Sequence, residues 1–397
     1  MLLSVLQHSR LNQKKVKIKG TISINKIIRK IRPVLHDFKP KSYTKDPWEK
    51  LIEYNIKKED VIDCSLGVNP YGCSTLAEKA TKNVDWNGMS KYPDTSYSSI
   101  KKAIVNFWSD TAELKEEEIF LGAGSVNVLV KLNRLFIQSG SKVLGYCPQF
   151  SEYENLVKIH GGVYDFISLR EEENYKFPYK RFLNAIDESY NVIYIDNPNN
   201  PTGQVIDISI IDEIAKKAAN YGIPVILDEA YGDYMNASNS AISICEKYDN
   251  LLIVRSFSKG LGLANIRLGY LIVKGCFKEY YNTVNIPPFA FPDIMSGIII
   301  ETLNDSEFIL QCRKKIKKNK AELVSICKEK FTIAETGLEV PILTLGCKDK
   351  GNLYNYFLKN GIITAPGEEF TNLDENYVRL RIPSDIKDLL GRVEKMD

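Results

Sequence analysis

A lysine set between two hydroxyls and followed by an arginine is the feature of this chain best suited to chemistry. The stretch reads Ser256-Phe257-Ser258-Lys259-Gly260-Leu261-Gly262-Leu263-Ala264-Asn265-Ile266-Arg267 and directly follows the apolar run Leu251 to Val254. Two serine hydroxyls and a guanidinium, whose planar fork of donors matches phosphate oxygens, can cradle a phosphate dianion. A primary amine inside that cradle can form an imine with an aldehyde carried by the same phosphorylated molecule. Pyridoxal 5'-phosphate (PLP) is such a molecule. A solvated Ser/Gly-rich turn has the same composition, so the other motifs must decide.

Three further segments are ambiguous one at a time. Leu121-Gly122-Ala123-Gly124-Ser125-Val126 leaves an apolar run and opens a helical pattern. Glycines there let backbone N–H groups approach an anion at a helix N-terminus, but a plain tight turn needs them equally. Asp196-Asn197-Pro198-Asn199-Asn200-Pro201-Thr202-Gly203 is rich in turn dipeptides; an asparagine at a strand end can also hydrogen-bond a phenolate oxygen. Asp228-Glu229-Ala230-Tyr231 closes the apolar run Ile223 to Leu227. A carboxylate at that point is either a helix N-cap or the partner that keeps a pyridine nitrogen protonated.

These residues need elements to position them. From about residue 116, short apolar runs alternate with helical patterns, which predicts an α/β fold: a mostly parallel sheet flanked by helices. Ligands of such sheets gather beyond the carboxyl ends of the strands, where these motifs fall. The Pro-rich Ile286 to Pro292 reads as a hinge, and one long amphipathic helix is expected over about 293–330. The domain reading is an N-terminal arm (1–45), a large domain (46–290) and a smaller α+β C-terminal domain (291–397) that part of the arm joins.

A length of 397 residues suits this arrangement. A net charge of +3 gives no argument for nucleic-acid or membrane binding, and no apolar run is long enough to span a bilayer. The eight cysteines never occur as Cys-x-x-Cys, a scatter that suggests reduced core thiols in a cytoplasmic protein. His8, His36 and His160 have no ligand-spaced partners, so neither a metal site nor a histidine triad is expected. Residues 1–36 contain no Asp or Glu but many Lys and Arg; they read as a basic arm docking on the body or a second subunit, or as a transit peptide.

Together GAGS, NPNNPTG, DEAY and SFSKGLGLANIRLGY resemble the motif set of fold-type I PLP-dependent aminotransferases (class I/II). KIRPVLHDFKPKSY, DCSLGVNPYG and KYPDTSYSSIKKAI are similar to the histidinol-phosphate aminotransferase branch and the related threonine-phosphate decarboxylases. The resemblance spans about residue 30 to the C-terminus. It implies PLP covalently held by Lys259, with its phosphate bound by Ser256, Ser258, Arg267 and the backbone of Gly124, Ser125 and Val126. Asp228 would face the ring nitrogen, Asn200 and Tyr231 the ring hydroxyl, and Phe150 would stack on the ring. Arg379 would clamp a substrate carboxylate, with Gly67 and Asn200 beside it; a surface arginine on a strand is the alternative for Arg379. Tyr92 would reach the neighbouring subunit's site, which implies a homodimer.

The implied activity is ping-pong amino transfer between an amino acid and a 2-oxo acid. Decarboxylation or oxidative deamination on the same scaffold is the alternative, and a non-catalytic binding protein a third reading. Three departures stand out. Asn265 replaces a usual glycine, and asparagine tolerates a left-handed turn there. Thr364 and Ala365 lie where histidinol-phosphate enzymes commonly carry an arginine for the substrate phosphate, and Lys41 replaces an aromatic residue serving the same phosphate. Arg255, Arg381 and the segment Pro287 to Phe291 are candidates for selecting the substrate side chain.

Overall fold

The computed structural model describes residues 29–36, 38–41, 46–84, 86–285 and 291–396. The chain forms two compact units, Met1–Lys39 and Pro40–Asp397. In the first, the described residues hold a 3-10 turn at Pro33–Leu35; most of the basic arm and most of the expected hinge lie outside the described residues.

The second unit is built on a seven-stranded sheet. In spatial order its strands are Ile119–Gly122, Gly269–Val273, Leu251–Ser256, Val225–Asp228, Val192–Asp196, Lys142–Cys147 and Val163–Ser168. Every pairing is parallel except those of Gly269–Val273, which runs against both neighbours. The central strands are near-continuous Val/Ile/Leu runs because helices cover both faces. Their side chains alternate accordingly. Ile193, Ile195, Val225, Leu227, Leu251 and Ile253 enter one core; Val192, Tyr194, Ile226, Leu252 and Val254 enter the other. Register places Asp196 opposite Asp228, while Ser256 ends the next parallel strand, so the two candidates Asp228 and Ser256 share one end of the sheet with Asp196.

A four-stranded antiparallel sheet follows, ordered Ala365–Pro366, Tyr377–Arg381, Ile342–Gly346 and Thr332–Ile333. Leu343, Leu345, Val378 and Leu380 pack with Leu323 and Cys327 in a separate core. Arg379 sits mid-strand, paired with Thr344 on one side and Ala365 on the other.

The single helix expected over 293–330 is instead three pieces: a 3-10 turn Asp293–Met295, then helices Ser296–Asn304 and Ser306–Cys327. Asp305 makes the break. Its carboxylate accepts from the Phe308 amide and from the Ser74 hydroxyl, so a local cap outcompetes helix continuation. Five cysteines are buried, but Cys73 and Cys276 are exposed, so not all are core thiols. No helix among the described residues is long and apolar enough to cross a membrane.

Candidate active site

Beyond the strand ends lies a cavity of about 210 Å³ whose lining includes Lys259, Asp228, Phe150 and Arg267. Ser125, Val126, Asn200, Tyr231, Ser256 and Ser258 also face it. Tertiary folding therefore brings together side chains that the sequence spreads over more than a hundred positions.

One end is built for an anion. Ser125 opens the helix Ser125–Phe136, and Gly124 before it has φ +80°. The first N–H groups of a helix lack intrahelical acceptors, and the dipole adds positive character there. A Cβ on Gly124 would lie 2.4 Å from Arg267 Nη2, so only glycine lets the guanidinium lie against this backbone. Arg267 Nη1 donates to Ser258 Oγ (3.2 Å) and to the Ala264 carbonyl (3.0 Å). Ser256 Oγ accepts from the Ser258 amide at 3.1 Å. The left-handed residue of this turn is Arg267 (φ +60°) and not Asn265, which lies in a 3-10 turn, Ala264–Ile266. The conformational strain, of order 1–3 kcal/mol, thus falls on the residue whose side chain must turn back to the cradle.

Two buried carboxyls, Asp228 and Asp196, also line the cavity. Asp228 Oδ1 accepts from the Ala230 amide and Oδ2 from the Tyr194 hydroxyl, both at 3.0 Å. Burial, with Asp196 alongside, raises its pKa to about 7. Asp196 is itself raised by burial, opposed by hydrogen bonds from the Asn200 amide, the Tyr146 hydroxyl and the Asn199 side chain. Asp228 does take an N-cap-like local bond, yet it still faces the cavity. Tyr194 and Asp196 are site residues that motif reasoning passed over. Asp196 had a signal: it occupies the strand end directly before Asn-Pro. Tyr194 had none, being one aromatic residue in a core strand, stacked on Tyr153 at 3.7 Å.

Lys259 Nζ lies 5.3 Å from the centre of the Tyr231 ring. The Tyr231 hydroxyl donates to the Gly67 carbonyl at 2.9 Å, and burial raises its pKa to about 12, so the phenol keeps its proton at neutral pH. A Cβ on Gly67 would fall 1.8 Å from that hydroxyl; close approach, not backbone torsion, requires glycine there. Arg379 is only 1 % exposed, which excludes the surface alternative. Its Nη1 donates to Asn200 Oδ1 at 2.9 Å, and its Nη2 bonds the Ser65 carbonyl. That arrangement assigns the Asn200 oxygen to the arginine and leaves its NH₂ as the donor end.

Other candidates lie elsewhere. Tyr92 is 86 % exposed and lines a different surface hollow, with Met89, Pro93 and Phe291; within one chain it does not join the cavity. Arg255 is not a substrate selector. It is buried, paired with Glu229 (3.0 Å) and Asp233, and stacked over Trp108. Removing one member of such a buried set costs about 3–5 kcal/mol, so Arg255 holds the Asp228–Asp233 turn in place. Arg381 bonds backbone carbonyls of Asp63 and Ile382. Thr364 and Ala365 are buried, while Lys41 Nζ donates to Thr371 Oγ1 at 3.1 Å.

Comparison with known proteins agrees with this geometry. A histidinol-phosphate aminotransferase of Anoxybacillus flavithermus is 28% identical over 341 residues, spanning 85% of this chain and 88% of that protein. The crystal structure of the histidinol-phosphate aminotransferase from Clostridium acetobutylicum superimposes with a TM-score of 0.75 at 25% identity, covering 84% of this chain and 98% of that one. The Sinorhizobium meliloti enzyme of the same name, solved in complex with pyridoxal-5'-phosphate, gives a TM-score of 0.77 at 16% identity over 92% of this chain and 97% of that one. The sequence model described as "Aminotransferase class I and II" matches residues 59–393. A half-buried lysine, two buried carboxyls and an anion cradle around one cavity are thus what this chain holds as a member of the class I and II aminotransferases, on the histidinol-phosphate aminotransferase-like branch.

Proposed function

We propose that the chain is a PLP-dependent aminotransferase that moves an amino group between an α-amino acid and a 2-oxo acid. The observation that carries this reading is the convergence of Lys259, Asp228 and the Gly124–Ser258–Arg267 cradle on one cavity. The cavity residues fit the cofactor: a helix N-terminus with Ser256, Ser258 and Arg267 for an anion, the buried carboxyl of Asp228, and the aromatic ring of Phe150 all line it.

When bound, PLP supplies an electron sink for charge that develops on the substrate carbon. The chain's own residues do the rest. Ser256, Ser258, Arg267 and the N–H groups of Ser125 and Val126 would hold the phosphate. Asp228 would favour a protonated ring nitrogen by placing its carboxylate charge beside it. The Asn200 NH₂ and the Tyr231 hydroxyl would orient the ring oxygen. Lys259 Nζ would take the proton from the substrate α-carbon as general base and return it as general acid. Arg379 grips the α-carboxylate.

Arg379 also shapes the substrate reading. Thr364 and Ala365 offer no cation for a substrate phosphate, and a poorly paired dianion in a buried site is costly. We therefore favour donors with an α-carboxylate over a phosphorylated amino alcohol. A panel of amino acids and histidinol phosphate, followed by the change in cofactor absorbance, tests this. Arg379→Lys should lower kcat/KM for carboxylate donors by about 10–150-fold, as expected for a lost charged hydrogen bond. Turnover of histidinol phosphate alone would reject the substrate reading.

We read 46–290 and 291–397 as large and small domains with 1–45 as an arm; each sheet has its own core, although Leu51 and Cys64 pack in the C-terminal one and Leu303 and Ala334 in the large one. We read the assembly as a cytoplasmic homodimer, because the exposed Tyr92 occupies an apolar hollow that a second copy would cover. Sedimentation at micromolar concentration should return twice the 45.1 kDa chain mass; a monomer that is fully active would rule this out.

A further inference from the structure

Lys320 is 0 % exposed, yet among the described residues it forms no ion pair with a carboxylate. It lies on the helix Ser306–Cys327. Its Nζ meets four acceptors: Thr336 Oγ1 (2.6 Å) and the carbonyls of Gly337 (2.8 Å), Val340 (2.9 Å) and Ile342 (2.6 Å). Three of the four are carbonyls, which only accept, so the set suits an ammonium with its three donors better than a neutral amine with two. Burial pushes the ammonium's pKa well down; the oxygen cage is what opposes that loss.

The caged segment is joined to the active site on two sides. The Gly337 amide donates to the Gly203 carbonyl at 2.8 Å, and a Cβ on Gly203 would lie 2.3 Å from the Ile342 oxygen. Gly203 closes the Asn-Pro loop through its bond to the Asn199 carbonyl, and the next residue, Asn200, holds Arg379. Ile342 begins the strand that pairs with the Arg379 strand. Its side chain also abuts Gly67, whose carbonyl takes the Tyr231 hydroxyl.

We infer that the Lys320 ammonium is an internal cation that fixes the spacing between the Asn-Pro loop and the strand bearing Arg379, and so acts as a positioning residue for the substrate carboxylate. The inference rests on Arg379 being the carboxylate clamp. Without the cation, three carbonyls converge with nothing between them, and the loop and strand separate.

Lys320→Ala leaves both room and oxygens for a monovalent cation, whereas Lys320→Met fills the space with an uncharged stem. In Lys320→Ala, KM for carboxylate donors should rise about 10–100-fold, the size of one or two buried donors lost, with kcat within about 3-fold. Potassium chloride should reverse the rise and raise the cofactor-free variant's melting temperature; choline chloride at equal ionic strength should do neither. Lys320→Met should show the higher KM without potassium rescue. An unchanged KM, or equal responses to potassium and choline, overturns the inference. Should Lys320→Ala fail to fold, Thr336→Val removes one cage oxygen and keeps the lysine; a KM unchanged from wild type then overturns it. If Arg379→Lys leaves KM untouched, the clamp reading is what has failed.

Discussion

Lys259→Ala protein, reduced with borohydride, digested and mass-mapped, should carry no pyridoxyl group, while wild-type protein should carry it on the peptide containing Ser258 and Lys259. Turnover should fall by at least about 10⁴-fold, the upper range for a general acid–base group. The site explains why no other amine takes over. Lys259 Nζ sits over the Tyr231 ring within a cavity whose other lining side chains include a cation only in Arg267. A guanidinium is protonated at any working pH and is a poor nucleophile. Because Ser256, Ser258, Arg267 and Asp228 remain, the variant should still bind PLP reversibly. Loss of the covalent adduct with retained reversible binding separates this role from a collapsed fold. A variant that kept wild-type turnover would end the mechanism.

Asp228→Asn should lower turnover by about 10²–10³-fold, as removal of a preorganised charge does in other active sites. It should also change the cofactor-free protein in a way that no loss of activity could mimic. The Asp228 carboxyl has its ordinary pKa near 3.8 when unfolded and about 7 when folded. Between those values the folded protein keeps a proton that the unfolded chain releases. Stability from this group is therefore lost as pH rises through that window, by about 4 kcal/mol at pH 8. Asparagine does not titrate, so this part of the pH dependence should vanish. Urea midpoints of cofactor-free wild type and variant at pH 5 and pH 8 measure it. Equal slopes for the two proteins would show that Asp228 is not a desolvated carboxyl. In the loaded enzyme a cation on the ring nitrogen favours ionised Asp228, so cofactor affinity and the site's charge are linked.

The motif residues were legible in the sequence for a local reason. Lys259 with its serines, Asp228 and the Gly124 turn all occupy strand ends, and strand ends announce themselves as an apolar run meeting Gly, Ser, Asn or Asp. The parallel sheet was legible in the same way, because two-sided burial writes continuous Val/Ile/Leu runs. The break at Asp305 was not, since the amphipathic pattern continues across it and only the capping bond to Phe308 and the reach to Ser74 decide the conformation.

Arginines show where sequence reading ends. Arg255, Arg267, Arg379 and Arg381 look alike as letters, and their roles follow from what the fold sets opposite each one. Arg255 meets two carboxylates and becomes a brace; Arg379 meets the oxygen of the cavity residue Asn200 and a backbone carbonyl, with no carboxylate bonded to it in those contacts, and is therefore the one proposed as the substrate clamp. Composition and spacing alone determined the chemistry this chain can attempt and the layered α/β scaffold that would serve it. Which charge is neutralised, which carboxyl is desolvated to a pKa near 7 and which lysine is caged by carbonyls were decided by tertiary structure. Those properties depend on distances between residues far apart in the chain and on the water excluded between them, and neither is encoded within any one segment.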